Sequence, residues 1–568
     1  MRSDGCACCA PTDDASSGAR FRFSGTQARR APSNQLGGVH LILDDRSTVR
    51  PVCGLASHCL RFDVLTVNRR SGRIGSRRKP DRARRQRALL LRVLVAAAAT
   101  GLVLLQGCAT RPVNERITRP APETSYDVAT QIARRPDHDP STLLVLAFSG
   151  GGKRAAALSY GVLEELRRTP IVVDGHPRRL LDEVDMIAAV SGGSFTALAY
   201  ALYGEQLFSE YEPRFLKRDV QGTLVERVFN PASWPKLLSP LYGRSELAAD
   251  YYDEILFDGA TFGDLVGKPT PVAIASATDV VTGNRFPFMQ ENFDLICSDL
   301  AKIRLSRAAA ASSAVPVLLS PITLNNYGGQ CGFEFPAWMR EGVAERSDRT
   351  DIGRAFRRYD ELVELQDSTA HPYLHLVDGG VSDNIAIRAI VELLSTLDVR
   401  KYLEAIAGLR EVRRIAVIVV NAVSSPTVDW GRKASPPGIF QQLWQSSSIP
   451  IDRYSYESID LLNDIVTRWS LERRLALAEA RVAGTSAPAD ATRPSVELYA
   501  IDVSFRDIAD PDERAYCENL PTTLALTPEA VDRLRSVAGT VLRASPAYRR
   551  LLQALGGAAT ETRGDDAQ

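Results

Sequence analysis

The chain has 568 residues, 45% hydrophobic and 24% charged, an ordinary globular composition with length for two to four domains. Its formal net charge of +1 hides two unlike parts: residues 1–107 hold 19 Lys and Arg against 7 acidic residues, all Asp, and no Glu occurs before Glu115. The remaining 461 residues are net negative by about 11 charges, so the bulk field offers no attraction to anionic lipid and no reason to expect a nucleic acid partner.

Residues 1–80 are Arg-rich, carry five cysteines (Cys6, Cys8, Cys9, Cys53 and Cys59) and show little sustained periodicity. No His or Cys set completes a zinc-like spacing around them. A transit peptide or a basic nucleic-acid arm would share this composition. The simpler expectation is a non-native or disordered extension, with translation starting nearer residue 80. From Arg82 the chain reads RARRQRALLLRVLVAAAATGLVLLQGCAT. The run from Val93 to Leu105 lacks charge but is too short to span a bilayer, which needs roughly 20 apolar residues, and it suits the apolar region of a secretory signal. Its ending, LLQGC, resembles the lipobox of bacterial lipoproteins, with Gln106 a less usual residue. The resemblance implies a signal peptide over 81–107, cleavage before Cys108 and acylation of Cys108. A plain signal peptide or a short buried helix is the competing reading. Ala109 after the cysteine suggests the outer membrane, facing the periplasm.

Residues 108–140, rich in Pro, Arg and Thr, read as a tether. A domain expected over 141–425 opens with STLLVLAF, a strand apolar on both faces. SGGG and a helix over about 153–168 follow, then VDMIAAV, SGGS and a second helix through about Tyr203. Strand, glycine turn and helix, twice over, predict an α/β domain with a mainly parallel sheet. TPVAIASATDV and NRFPFM read as a hairpin about Thr282–Asn284, and LAKIRLSRAAAASSAVP as a helix stopped by Pro316. The charged, weakly patterned stretch 333–370 reads as an insertion or lid. YLHLVDGG and RRIAVIVVNA read as strands. An extension over 426–555 contains a helical pattern from about Asp452 to Val482, the strand SVELYAIDVSF, and helices near 528–543 and 546–555. Residues 556–568 read as a disordered tail. Past Cys108 only Cys297, Cys331 and Cys517 remain; a Cys297–Cys331 disulfide and free buried thiols are both open.

Three motifs carry chemistry. Ala189-x-Ser191-x-Gly193 approximates the G-x-S-x-G elbow, which holds a serine on a strained strand-to-helix turn; a plain loop or an anion-binding turn is the alternative. FSGGGKRA places Gly150, Gly151 and Gly152 between strand and helix, where several N–H groups and the helix dipole converge on an anion or oxyanion. A P-loop is excluded, because Arg154 follows Lys153 and Ala147 stands where the first Gly should be. A dinucleotide fingerprint, Gly150-x-Gly152-x-x-Ala155 with Asp174 near the ribose position, fits better but explains nothing else. LVDGG ends a strand on Asp378, followed by Gly379 and Gly380; an Asx-turn is the simple alternative. After Ser191 the histidines are His371 and His375, both before Asp378. A Ser–acid–His order would have to draw on that segment and leave DGG idle. A dyad of Ser191 and Asp378 uses every piece.

In order, SGGGKRA, AVSGGS and DGG resemble the patatin-like phospholipases, and AASSAVP (310–316) resembles that family's small-residue segment ending in proline. The resemblance covers about 143–425. It departs at Ala189, and at Ser149 where many members have Asp. It implies a three-layer αβα patatin-like fold and a serine acyl hydrolase acting on phospholipids, lysophospholipids or other acyl esters. Ser191 would be the nucleophile, Asp378 the base, and Gly150, Gly151 and Gly152 the oxyanion hole. Arg154 would shape the loop or meet a lipid phosphate, with Gly193, Gly379 and Gly380 in support. This chemistry needs neither metal nor cofactor. A dinucleotide-binding protein and a catalytically silent scaffold on the same fold are the rivals.

Overall fold

The computed structural model describes residues 110–121, 126–135, 139–173, 175–336, 340, 353–395, 409, 411–424, 429–484 and 496–556. The expectations for 1–80, the signal at 81–107, Cys108, Asp174 and nearly all of the tail lie outside the described residues.

The main sheet follows the order β10-β9-β1-β4-β5-β8-β7, with β6 also paired to β5. Its strands are β1 (Thr142–Phe148), β4 (Val184–Val190), β5 (Val272–Asp279), β6 (Arg285–Pro287), β7 (Ile322–Asn325), β8 (Tyr373–Asp378), β9 (Arg414–Asn421) and β10 (Glu497–Ser504); β2 (Pro170–Val173) and β3 (His176–Arg179) form a separate hairpin. The pairs β10–β9, β9–β1, β1–β4 and β4–β5 are parallel, whereas β8 runs antiparallel to both β5 and β7. The mainly parallel sheet expected from the repeated strand–turn–helix pattern is present. Its antiparallel edge is formed by β8 and β7, and β5 also turns back into β6 through a tight hairpin whose tip lies between Asp279 and Arg285.

Every residue of β1 is buried, and alternate residues enter different cores. Leu144, Leu146 and Phe148 join one cluster; Leu143, Val145 and Ala147 join the other. A strand buried on both faces must be covered twice, which explains the three layers. Helices α1 (Lys153–Arg168) and α2 (Gly192–Tyr203) cover the first face. The opposite face is covered by α3 (Arg388–Ser395) and the long helix α4 (Ile439–Ala483). Helix α5 (Pro528–Ala544) backs α1, joined by the Arg535–Glu164 ion pair at 2.8 Å. Among the described residues, no helix is long and apolar enough to cross a membrane.

Several expectations shift. The helix read from Asp452 begins at Ile439 and carries Pro450 inside it. A proline lacks one ladder N–H and argues for a boundary, yet the helix runs through it and reaches the core further along, at Leu462 and Ile465. The weakly patterned 333–370 stretch contains an amphipathic helix, Gly353–Gln366. The helix expected to stop at Pro316 ends at Ser312, four residues earlier. The stretch read as a tether is fastened from Arg111 on. Arg111 donates to Thr323 O at 3.0 Å, Tyr126 is buried, and Arg135 pairs with Asp185. Cys297 and Cys331 form a disulfide, which resolves that open pair, and Cys517 is a buried free thiol.

Candidate active site

Ser191 follows β4 directly and caps α2, with φ 51° and ψ −121°. A non-glycine residue at such angles stores about 1–3 kcal/mol of strain and persists only where its surroundings hold it. Ser312 supplies that hold: its hydroxyl accepts from Ser191 N–H (2.9 Å) and donates to Ser276 O (2.6 Å), and lies 2.8 Å from Ser194 Oγ. The small-residue segment 310–316 noted in the sequence is thus the brace under the elbow. Gly193 is required by close approach. A Cβ there would meet Phe148 O and Ser149 O, both at 2.8 Å, so α2 packs directly on the end of β1.

Asp378 ends β8. That strand is displaced toward the carboxyl end of β5, so Asp378 pairs with Ala277, while Val190 at the end of β4 pairs with Ser276. The two strand ends therefore meet at one level. Ser191 Oγ donates to Asp378 Oδ2 at 2.8 Å, and Gly380 N–H donates to Oδ1 at 2.8 Å. Gly379 N–H donates to Ser312 O (3.1 Å) and Asp378 N–H to Ala314 O (2.9 Å), which tie the aspartate to the same brace. Burial pushes the Asp378 carboxyl up to about 6, opposed by the hydrogen bonds from Gly380 and Ser191. A carboxylate at that value accepts a proton far more readily than an ordinary aspartate near 3.9.

Neither histidine joins this pair. His375 Nδ1 lies 3.0 Å from Thr323 Oγ1, and His371 Nε2 is 3.3 Å from Glu364.

The glycine loop packs against the serine, but its three glycines differ in use. Gly150 N–H donates to Asn384 O at 2.8 Å, so the expectation that it faces an oxyanion is corrected: that donor is already occupied. Gly151 N–H and Gly152 N–H show no hydrogen-bond partner among the described residues. A Cβ on Gly192 would lie 1.8 Å from Gly152 O, so the loop and the elbow are in direct contact. A Cβ on Gly150 would fall 3.4 Å from Ser191 Cβ.

The loop is secured from elsewhere in the chain. Arg154 is buried, with Nε donating to Ala422 O (2.9 Å), Nη1 to Leu520 O and Nη2 to Thr522 Oγ1 (3.2 Å). Burial lowers it to about 10, and Asp452 on α4 offsets part of that. Lys153 N–H donates to Thr523 O at 2.8 Å, and Ser149 Oγ accepts from Ala422 N–H at 2.8 Å. Of the two roles considered for Arg154, the contacts match shaping of the loop. Lys153 is buried with Nζ donating to Arg218 O, and burial lowers it to about 8. Sequence reading missed Ser312, Asn384, Ala422 and Leu520–Thr523. Ser312 lay in the small-residue segment, Asn384 just past DGG and Ala422 at the end of an expected strand, whereas Leu520–Thr523 lay in no marked stretch.

Residues 146–391 match the family model described as patatin-like phospholipase. No curated protein matches the chain. Among solved structures, human GIVD cytosolic phospholipase A2 is similar at TM-score 0.37 and 14% identity, over 79% of this chain and 68% of that one. VipD from Legionella pneumophila is similar at TM-score 0.27 and 13% identity, over 73% of this chain and 67% of that one.

Proposed function

We propose that the protein is a serine lipid acyl hydrolase that cleaves carboxylic esters of phospholipids or lysophospholipids through a Ser191–Asp378 dyad and an acyl-enzyme. The observation that carries this reading is the 2.8 Å bond from Ser191 Oγ to Asp378 Oδ2, with no imidazole between them. The match of residues 146–391 to patatin-like phospholipases supports the substrate class.

Ser191 Oγ attacks the ester carbonyl carbon while its proton passes to Asp378 Oδ2. The tetrahedral oxyanion takes the N–H groups of Gly151 and Gly152, each such donor being worth roughly 3–4 kcal/mol. Collapse breaks the ester C–O bond, and the leaving alkoxide recovers the proton from Asp378. Water then attacks the acyl-enzyme, gives its proton to Asp378, and releases the fatty acid as Ser191 regains its hydrogen. Gly380 keeps one carboxylate oxygen occupied, so the other remains aimed at the serine.

The proposal extends to location: the mature chain is acylated at Cys108 and held on the bacterial envelope, at the outer membrane facing the periplasm. The lipobox-like LLQGC supports it, and the Cys297–Cys331 disulfide suits an oxidising compartment.

A fluorophosphonate probe should label the native chain on the Ser191 peptide and leave Ser191→Ala unlabelled. An unlabelled but folded native chain would favour the silent scaffold.

A further inference from the structure

At Arg111 the chain is already fastened to the domain. The guanidinium donates to Thr323 O and Asn325 Oδ1, and lies 5.8 Å from the centre of the Tyr373 ring. Buried Asn114 follows, donating to Ser298 Oγ (2.8 Å) and Asn325 O (2.9 Å) and accepting from Asn325 N–H (2.7 Å). Cys108 and Arg111 are three residues apart, and extended chain covers at most about 3.5 Å per residue, so no more than about 10 Å of chain joins them. An acyl anchor at that position would leave the domain almost no slack.

The corner beside Arg111 bears exposed apolar side chains. Val113 is 61% exposed, Val280 54%, Val281 59% and Tyr373 51%. Contacts tie them to one place: Tyr373 pairs with Asn325, and Val280 N–H donates to His375 O at 2.9 Å. The valines stand on a braced turn, because the Asp279 carboxylate accepts from His375 N–H (3.0 Å), Thr282 N–H (3.2 Å) and Thr282 Oγ1 (2.9 Å). This corner lies at the carboxyl end of the parallel strands. Asp279, the last residue of β5, pairs with Leu376, so residues 373–375 extend beyond it. Tyr373 stands five residues outward of Asp378, about 17 Å along the strand.

We infer that Val113, Val280, Val281 and Tyr373 form a membrane-docking corner whose occupant is the bilayer holding the Cys108 acyl chains. Docking there turns the carboxyl end of the sheet, with Ser191 and Asp378, toward lipid. The inference rests on the lipid-anchored reading above. The mature chain's net negative charge rules out bulk electrostatic attraction, so the contact is apolar, and the anchor raises its effective concentration. Trp234, Leu238 and Leu241 are also exposed but have no comparable tie to residue 108.

The test uses the acylated chain in phosphatidylethanolamine–phosphatidylglycerol vesicles, with nitrobenzoxadiazole attached in turn at Val281→Cys, Leu238→Cys and Leu475→Cys. Brominated lipid should quench the probe at 281 and leave that at 475 bright; no quenching at 281, or quenching at 238 in its place, overturns the corner. The double variant Val280→Asp/Val281→Asp should hydrolyse vesicle phospholipid at least about fivefold more slowly, with hydrolysis of a soluble short-chain ester unchanged. Equal rates on vesicles would also overturn it. The mass of the Cys108 peptide reports separately on the anchor. If it lacks acyl groups the anchored reading fails, and the same probes on a chain tethered at residue 109 to nickel-chelating lipid still decide whether this corner seats on the bilayer.

Discussion

The two sides of the candidate site are held in different ways. The Ser191–Asp378 side is assembled wholly within the segment that matches the patatin-like model, 146–391, from two adjoining strand ends and the Ser312 brace. The glycine-loop side begins in that segment but is fastened by chain beyond it, through Ala422, Leu520, Thr522 and Thr523. The proposed reacting groups and the frame that holds the proposed oxyanion donors therefore belong to different stretches of sequence. A fragment ending near residue 391 would keep Ser191 and Asp378 and lose the partners that hold the loop at Ser149, Lys153 and Arg154.

That contrast can be broken at several points. Asp378→Asn removes the proton acceptor and should lower kcat on p-nitrophenyl acyl esters by about 10³-fold or more with an unchanged circular dichroism spectrum, as expected for residues acting as a unit. Activity near the native level would dissolve the serine–aspartate side of the comparison. Arg154→Ala leaves the carbonyls of Ala422 and Leu520 without their donor. It should reduce kcat by about 10–100-fold through a displaced loop while changing KM little, and fluorophosphonate labelling of Ser191 should slow in parallel. An unaltered kcat would show that the loop needs no support from beyond residue 391.

The pH profile sharpens the same division. Asp378 must be ionised to accept the serine proton, and burial raises it to about 6. kcat/KM should therefore be lost as pH falls through about 6 and reach a plateau above it. A limb near 4 would mean that the carboxyl is solvated in solution.

Smaller effects should come from residues outside both sides. The Cys297–Cys331 bond closes a loop with a sequence separation of 34, and losing it through Cys331→Ser should cost about 3–4 kcal/mol by loop entropy. A lowered melting temperature with near-native kcat at 25 °C would check this. His371→Ala and His375→Ala should change kcat by less than about threefold, since neither ring touches the pair. A collapse of activity in either would replace the dyad with a triad.

Much of this was legible in the residues. The buried strands came from unbroken apolar runs, and helix α1 was bounded correctly at Lys153 and Arg168 by its three- and four-residue spacing. Ser191, Asp378 and the glycine loop stood out because a strained turn, a strand-end carboxylate and consecutive glycines are local features with local signatures. Less visible was the start of α4, where Pro450 conceals a continuing helix. Also hidden was the helix Gly353–Gln366, whose pattern is diluted by charge.

By itself the sequence determined the chemical types available, the order in which they occur and the sheet on which they would be mounted, because periodicity and turn chemistry act over a few residues. Tertiary structure alone decided which donors remain open and which are taken. Gly150 and Gly151 look alike in sequence, yet Asn384 claims one and leaves the other, and Arg154 faces backbone carbonyls instead of substrate. Those outcomes depend on partners more than 200 residues away along the chain, and no local pattern encodes a distance that only packing closes.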